Sequence, residues 1–458
     1  MFRGRAGSAA LACASTLMSV CTAVPALQFD GDVGVDAQYT DNAGLVSTNE
    51  TDDLITTARV NATLAELEGP LTGNAVASLR YSDYMDNTFD NQSDFSLGAT
   101  ANLEQLERRL VWTARNFYNQ TLIDNLAANT PDNNQNTNAF SLSAAVTIPV
   151  AARHLITVTP SFQDFRYDTS SNNSQQLGVA AGWGYQLNPS TMLSLNGDFQ
   201  DVDFDDDTGS PDYESTSLYV GLAVTRARTR YNATIGATRA ERDTGSDDDG
   251  VTGSLTLEHD FTARSTVIAN LSSNITDSSN IFLSSSIDPN TGSFTNVQTS
   301  NDLVRDSVFR ITYNRQGSLV NSSIWTELRD LDYDTAPLDR EVQEVGANIS
   351  YPFTALLTGS VSGNYRRTKD DANSSTDKEY LLSGWLDYSL SRKLTANLGL
   401  QVQSNNSDVA TREYDEKSIF AGIAYRLGRV ATTSSRTRYS GGSQRDNILS
   451  NPARKTTR

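Results

Sequence analysis

Sulfur chemistry is almost missing from this chain. Its two cysteines, Cys13 and Cys21, both fall within the first 26 residues, so the remainder can form neither a disulfide nor a thiolate metal site. Two histidines, His154 and His259, leave little for imidazole catalysis or zinc ligation. No run approaches the roughly 18–20 apolar residues that a membrane-spanning helix needs, which excludes a helical membrane protein. Neither a phosphate-cradling glycine loop nor a dinucleotide fingerprint is present. Cations are short as well: the formal net charge over 458 residues is -19, and an acidic body disfavours nucleic acid as a partner.

The two ends differ from the middle. Arg3 and Arg5, the apolar stretch SAALACASTLMSV and the small-residue ending AVPA describe a secretory signal over residues 1–26, cleaved after Ala26. A lipid anchor at Cys21 is the rival, disfavoured because Met18-Ser19-Val20 lacks the small residue usual before a lipidated cysteine. Without Arg3 and Arg5 the charge is -21, and seven cations against Asp446 give residues 428–458 a local +6, which leaves -27 on residues 27–427. That split marks Gly428 as a boundary. The basic tail lacks apolar periodicity and is expected to have no fixed structure. Its charge suits an acidic partner or an anionic cell-wall polymer, or simply solvation.

Between these ends the chain repeats one pattern. Apolar residues alternate with polar or small ones in FDGDVGVDAQY, LITTARVNATL, LGVAAGWGYQL, LYVGLAVT, YNATIGAT, VFRITY, YLLSGWLDYSL, KLTANLGLQVQ and SIFAGIAYRL, among others. Period two over about nine residues is the strand signal. About twenty strands are expected, within a range of 16–22, the weakest near 108–118 and 318–328. Short connections such as EGPLTG, LNPS, TRARTR and LSRK alternate with long ones rich in Asp, Asn, Ser and Thr, such as TDNAGLVSTNETDD, DVDFDDDTGSPDYE and TKDDANSSTDKE. A sandwich has no reason to sort its loops by length onto alternate ends, and a propeller would show blade repeats. An all-β fold is expected: a single transmembrane antiparallel up-and-down β-barrel over residues 27–427, with tight periplasmic turns, longer outer loops and both ends in the periplasm.

The face opposite the apolar residues then lines a lumen. Arg59, Asn61, Gln186, Asn196, Asp198, Asn232, Thr234, Thr256, Asn364, Asn397 and Gln401 are the candidate lining residues. Such groups need water, because an unpaired buried hydroxyl or amide costs about 1–3 kcal/mol. Tyr39, Tyr81, Tyr84, Tyr118, Tyr167, Tyr351, Tyr365, Tyr388 and Tyr425 fall near strand ends, where polar-tipped rings suit the two bilayer interfaces.

Two resemblances follow from particular stretches. In FAGIAYRL, Gly422, Tyr425 and Leu427 resemble the insertion signal on the last strand of outer-membrane barrels, with Phe420 where a polar residue is usual and Leu427 where an aromatic is usual. In DLITTARVNATLAELEGPLTGNAVASLRYSDY, a strand, an EGP turn and a strand closing on Tyr81 and Tyr84 are similar in layout to the start of a β-barrel porin family found beside exopolysaccharide-synthesis and PEP-CTERM loci. That resemblance implies a barrel along nearly the whole chain that passes or assembles polysaccharide. The chain has no Pro-Glu-Pro sorting signal of its own.

Catalysis is not expected, since both histidines fall beside predicted periplasmic turns and no nucleophile–base pair is apparent. Asp201, Asp203 and Asp205–Asp207 form one acidic loop, and Asp243 with Asp247–Asp249 another. DFDDDTG resembles the start of a calcium loop, but Thr208 stands at the glycine position and no glutamate closes it. No metal and no cofactor are expected. The expected role is a hydrated outer-membrane channel in a Gram-negative cell, assisting exopolysaccharide export or assembly. A small-solute porin, with residues 276–302 as its constriction loop, or an adhesin without transport, are the alternatives. Expected partners are outer-membrane lipid and lipopolysaccharide, the barrel-assembly machinery and periplasmic polysaccharide-export proteins, with no nucleic acid.

Overall fold

The computed structural model describes residues 27–205, 212–244, 247–284, 300 and 302–428. The expected signal with Cys13 and Cys21, the basic tail past Gly428, and Asp206, Asp207 and Thr208 lie outside the described residues.

Among the described residues twenty strands pair antiparallel in chain order, and the first, β1 (Gln28–Thr40), pairs back onto the last, β20 (Tyr414–Arg426). The described sheet is therefore closed, which satisfies every edge without a partner chain. Strands near 108–118 and 318–328, where the apolar pattern was weakest, form as β5 (Leu110–Leu122) and β15 (Asn321–Tyr333). The seam between β1 and β20 runs from Asp32 opposite Arg426 to Thr40 opposite Ser418. Side chains clasp it: Thr40 donates to Glu416 at 2.6 Å, and Arg426 Nε donates to Asp30 at 2.9 Å.

Alternation sends one residue of each pair outward. Leu218, Val220, Ile235, Leu271, Val361 and Leu382 are among a belt of large apolar side chains more than half exposed. In water such a belt would be an aggregation surface; in hydrocarbon it is solvated. On β18 (Ser375–Ser389) the outward residues run Tyr380, Leu382, Gly384, Leu386, Tyr388, a lipid-length stretch with a ring at each end. Lys378 stands outside it, toward the long-loop end.

The strands outrun the lipid. They hold 12 to 18 residues, whereas about 9–11 tilted residues cross a bilayer. The surplus carries sequence that reads as loop. β17 (Leu357–Asp370) and β18 leave only residues 371–374 between them, where TKDDANSSTDKE suggested a loop of twelve residues. Beyond the lipid both faces meet water, so the apolar half of the pattern vanishes while the hydrogen-bond ladder continues from Arg366 opposite Glu379 to Asp370 opposite Ser375.

Candidate functional site in the barrel interior

The inner wall is polar and largely self-satisfied. Across β11 (Thr229–Arg242) and β12 (Asp248–Thr262), Thr234 and Ser254 hydroxyls meet at 2.8 Å and Thr238 and Thr252 at 3.0 Å. Thr256 donates to Asn270 at 3.0 Å, and Asn196 to Ser194 at 2.8 Å. Arg59 pairs with Asp36 and lies 3.9 Å from Asp32, which accepts from Asn61 at 3.2 Å. Asn397 donates to Asp36 at 3.3 Å.

One row of charge crosses five strands. From β14 (Val304–Gln316) through β15, β16 (Arg340–Pro352), β17 and β18, Arg310, Glu327, Glu344, Arg366 and Glu379 stand directly opposite one another in register. Arg310 donates to Glu327 at 2.7 Å; Arg366 donates to Glu344 at 3.0 Å and to Glu379 at 3.1 Å. The adjacent like charges Glu327 and Glu344 are tolerated because a guanidinium flanks each on its other side. The indole of Trp325 donates to Glu344 at 3.0 Å.

At the outer mouth the loop after β13 (Ser265–Thr276) folds into the barrel. It begins with Asp277, which is wholly buried, and continues as a short helix, α1 (Ser278–Ser284). The Asp277 carboxylate accepts from Tyr213 on β10 (Tyr213–Thr225) at 2.5 Å, from Gln176 on β8 (Ser174–Asn188) at 3.3 Å and from the Asn280 side chain at 2.9 Å. Ser279 meets Tyr167 at the end of β7 (His154–Tyr167) at 3.1 Å. Ile281 packs on Val304, Leu331 and Tyr333 on the other flank. Helix α1 therefore ties β13 to β7 and β8 on one side and to β14 and β15 on the other, narrowing the mouth. A second anchor is Asp302, which accepts from the backbone of Thr335 and Ala336 at 2.8 and 2.7 Å and from Arg242 at 2.7 Å. Residues 285–299 and 301 lie outside the described residues.

The eleven candidate lining residues take these places. Arg59, Asn61, Asn196, Thr234, Thr256 and Asn397 join the networks above. Gln186 donates to the Thr191 carbonyl at 3.2 Å beside a short turn. Asp198 stands opposite Ala180 and Ser217, Asn232 opposite Ala223 and Thr256, Asn364 opposite Gly346 and Leu381, and Gln401 opposite Ser383 and Ser418. Of the insertion-signal residues, Gly422 leaves room that Asp36 fills, since a Cβ there would lie 2.0 Å from its carboxylate. Tyr425 is exposed with Lys393 5.7 Å above its ring, and the Leu427 amide donates to Gly31 at 2.8 Å. Tyr167, read as an interface ring, is instead buried inside the mouth against Ser279. The charge row and the inward Trp325 and Trp385 escaped the sequence reading. The available signal was a charge at the centre of otherwise alternating strands, as in VFRITY.

No curated protein sequence matches this chain. Among solved structures it is similar in form to the siderophore receptor PirA from Pseudomonas aeruginosa, at 12% identity over 89% of this chain and 81% of that one, TM-score 0.45. An FrpB iron transporter from Neisseria meningitidis (F5-1 variant) is similar at 8% identity over 87% and 82%, TM-score 0.46. A ferric enterobactin receptor (PfeA) mutant from Pseudomonas aeruginosa, in complex with enterobactin, gives 9% identity over 89% and 82%, TM-score 0.49. These are likenesses of barrel form, and no cargo follows from them. The sequence profile of the family described as "Putative beta-barrel porin 2" matches residues 341–427, which span β16 to β20 with β19 (Leu394–Ser407) between. Over its last five strands this chain is therefore similar to that porin family, and its closed twenty-strand wall with an outward apolar belt is that of a membrane-spanning β-barrel.

Proposed function

We propose that the barrel is a passive, hydrated channel assisting export or assembly of an exopolysaccharide, held narrow at its outer mouth by α1. The observation that carries this reading is the inner wall. Its hydroxyls and amides bond largely to one another, and Arg59, Arg310 and Arg366 are each paired with carboxylates across the strands. A neutral sugar polymer exchanges hydrogen bonds with such a wall about as well as with water, so it is neither trapped nor repelled. Energy would come from elsewhere. The chain would arrive through a cleaved signal, be inserted by the barrel-assembly machinery, sit among lipopolysaccharide and dock periplasmic polysaccharide-export proteins.

The folded-in loop supports a second reading, a small-solute porin whose mouth sets a size limit. Liposome swelling with sugars of graded size separates the two. The polymer channel passes monosaccharides and, once α1 is released, oligosaccharides; the porin keeps a sharp cutoff in both states. Exclusion of even monosaccharides would sink both.

A further inference from the structure

Two inward tryptophans are built alike. Trp325 stands opposite Gly346, and Trp385 opposite Gly399. Each indole lies across the side chain its neighbour lacks. A Cβ on Gly346 would fall 2.1 Å from the Trp325 ring, and one on Gly399 2.5 Å from the Trp385 ring. The rings therefore lie flat along the wall rather than projecting into the bore.

They differ in what covers them. Trp325 is 4% exposed, buried under the charge row with its indole N–H on Glu344. Trp385 stays only half-buried, and its ring reaches across Gly399 to Phe420, with centroids 5.0 Å apart. The result is an apolar patch of two rings, tilted 41° to each other, in a wall made mainly of hydroxyls, amides and charges. Polar residues fringe it: Asn397 and Gln401 flank Gly399 along β19, and Ser383 stands opposite Gln401.

Aromatic surface facing water is unfavourable until a ligand covers it. The matching ligand has an apolar face and polar edges, as a pyranose ring does: its C–H face stacks on an aromatic ring while its hydroxyls bond sideways. We infer that Trp385 and Phe420, fringed by Asn397 and Gln401, form a saccharide subsite on the lumen wall. This rests on the sugar-channel reading above and assigns the contact within it. Gly399 is a positioning residue, since any side chain there lifts the indole off the wall.

The test uses the full barrel in planar bilayers, with maltohexaose, added on the short-turn side that α1 does not cover, as the stacking probe and sorbitol as an acyclic control. Wild-type current should be blocked reversibly by maltohexaose and not by sorbitol. In Trp385→Ala and Phe420→Leu the half-blocking concentration, read against each variant's own sugar-free current, should rise about tenfold, while Trp385→Phe keeps most of the block. Heat-modifiable migration confirms that each variant is folded. Unchanged block in Trp385→Ala, or a conducting wild type that maltohexaose does not block, overturns the subsite. If wild type carries no current, the channel reading fails, and calorimetry of maltohexaose binding to the detergent-solubilised barrel decides alone: binding lost in Trp385→Ala supports the subsite, and absence of wild-type binding overturns it.

Discussion

The outer mouth and the middle of the lumen solve one problem, an inward-facing polar wall, by opposite means. At the mouth the wall is covered. Val202, Phe204, Tyr213, Ala240, Ile275 and Leu303 pack as a small soluble-type core, with Asp277 bonded beneath it. At mid-height no element lies over the wall among the described residues, and cross-strand pairs such as Arg310–Glu327 and Arg366–Glu344 neutralise it in place. A covered wall depends on a loop that can leave; a self-paired wall depends on the strands themselves. The mouth should therefore respond to mutation in conductance, and the middle in stability and ion selectivity.

Removing the cover should have the largest effect. Replacing residues 278–299 by a short Gly-Ser linker is expected to raise single-channel conductance severalfold in planar bilayers; an unchanged value would show that α1 does not narrow the path. Next comes Arg366→Met, which leaves Glu344 and Glu379 facing each other without their cation. Breaking such a pair should cost about 3 kcal/mol, lowering the temperature of the heat-modifiable shift and increasing cation over anion permeability measured from reversal potentials. Tyr213→Phe removes one hydrogen bond from Asp277. It should cost about 1 kcal/mol and raise conductance part of the way toward the loop deletion. The smallest effect belongs to the short-turn end, where Arg108 pairs with Glu104 at 2.8 Å with its side chain 70% exposed. Arg108→Ala should change stability by no more than about 0.5 kcal/mol and leave conductance as it was. A larger change would mean that the short-turn rim also shapes the path.

Strand number and facing were legible because the bilayer forces a two-way choice at every residue. Leu218 and Val220 have nowhere to go but lipid, so the pattern survives even where propensity is weak. Three things were not legible, each for its own reason. The ladder above the lipid has water on both faces, so Lys369 and Lys378 carry no alternation to read. The charge row broke the pattern and passed for weakness: Glu327 lies inside 318–328, the stretch where the strand signal faded. Tyr213 and Gln176 lie 64 and 101 residues from Asp277, so nothing local in the sequence announces the contact that holds the mouth. Trp385 needed Gly399 and Phe420 on two further strands before its ring had a place to lie.

The clasped seam carries a kinetic consequence. Every other pairing joins consecutive strands and can form as a hairpin soon after its turn closes, but Thr40 meets Glu416 across 376 residues and Asp30 meets Arg426 across 396. Closure entropy grows by only about 0.6 kcal/mol per doubling of loop length, so distance alone does not forbid the meeting. It does set the order, because non-local contacts return nothing until the intervening hairpins exist. The β1–β20 zipper is thus the last event of folding, and a barrel arrested just before it would be a curled sheet with two live edges.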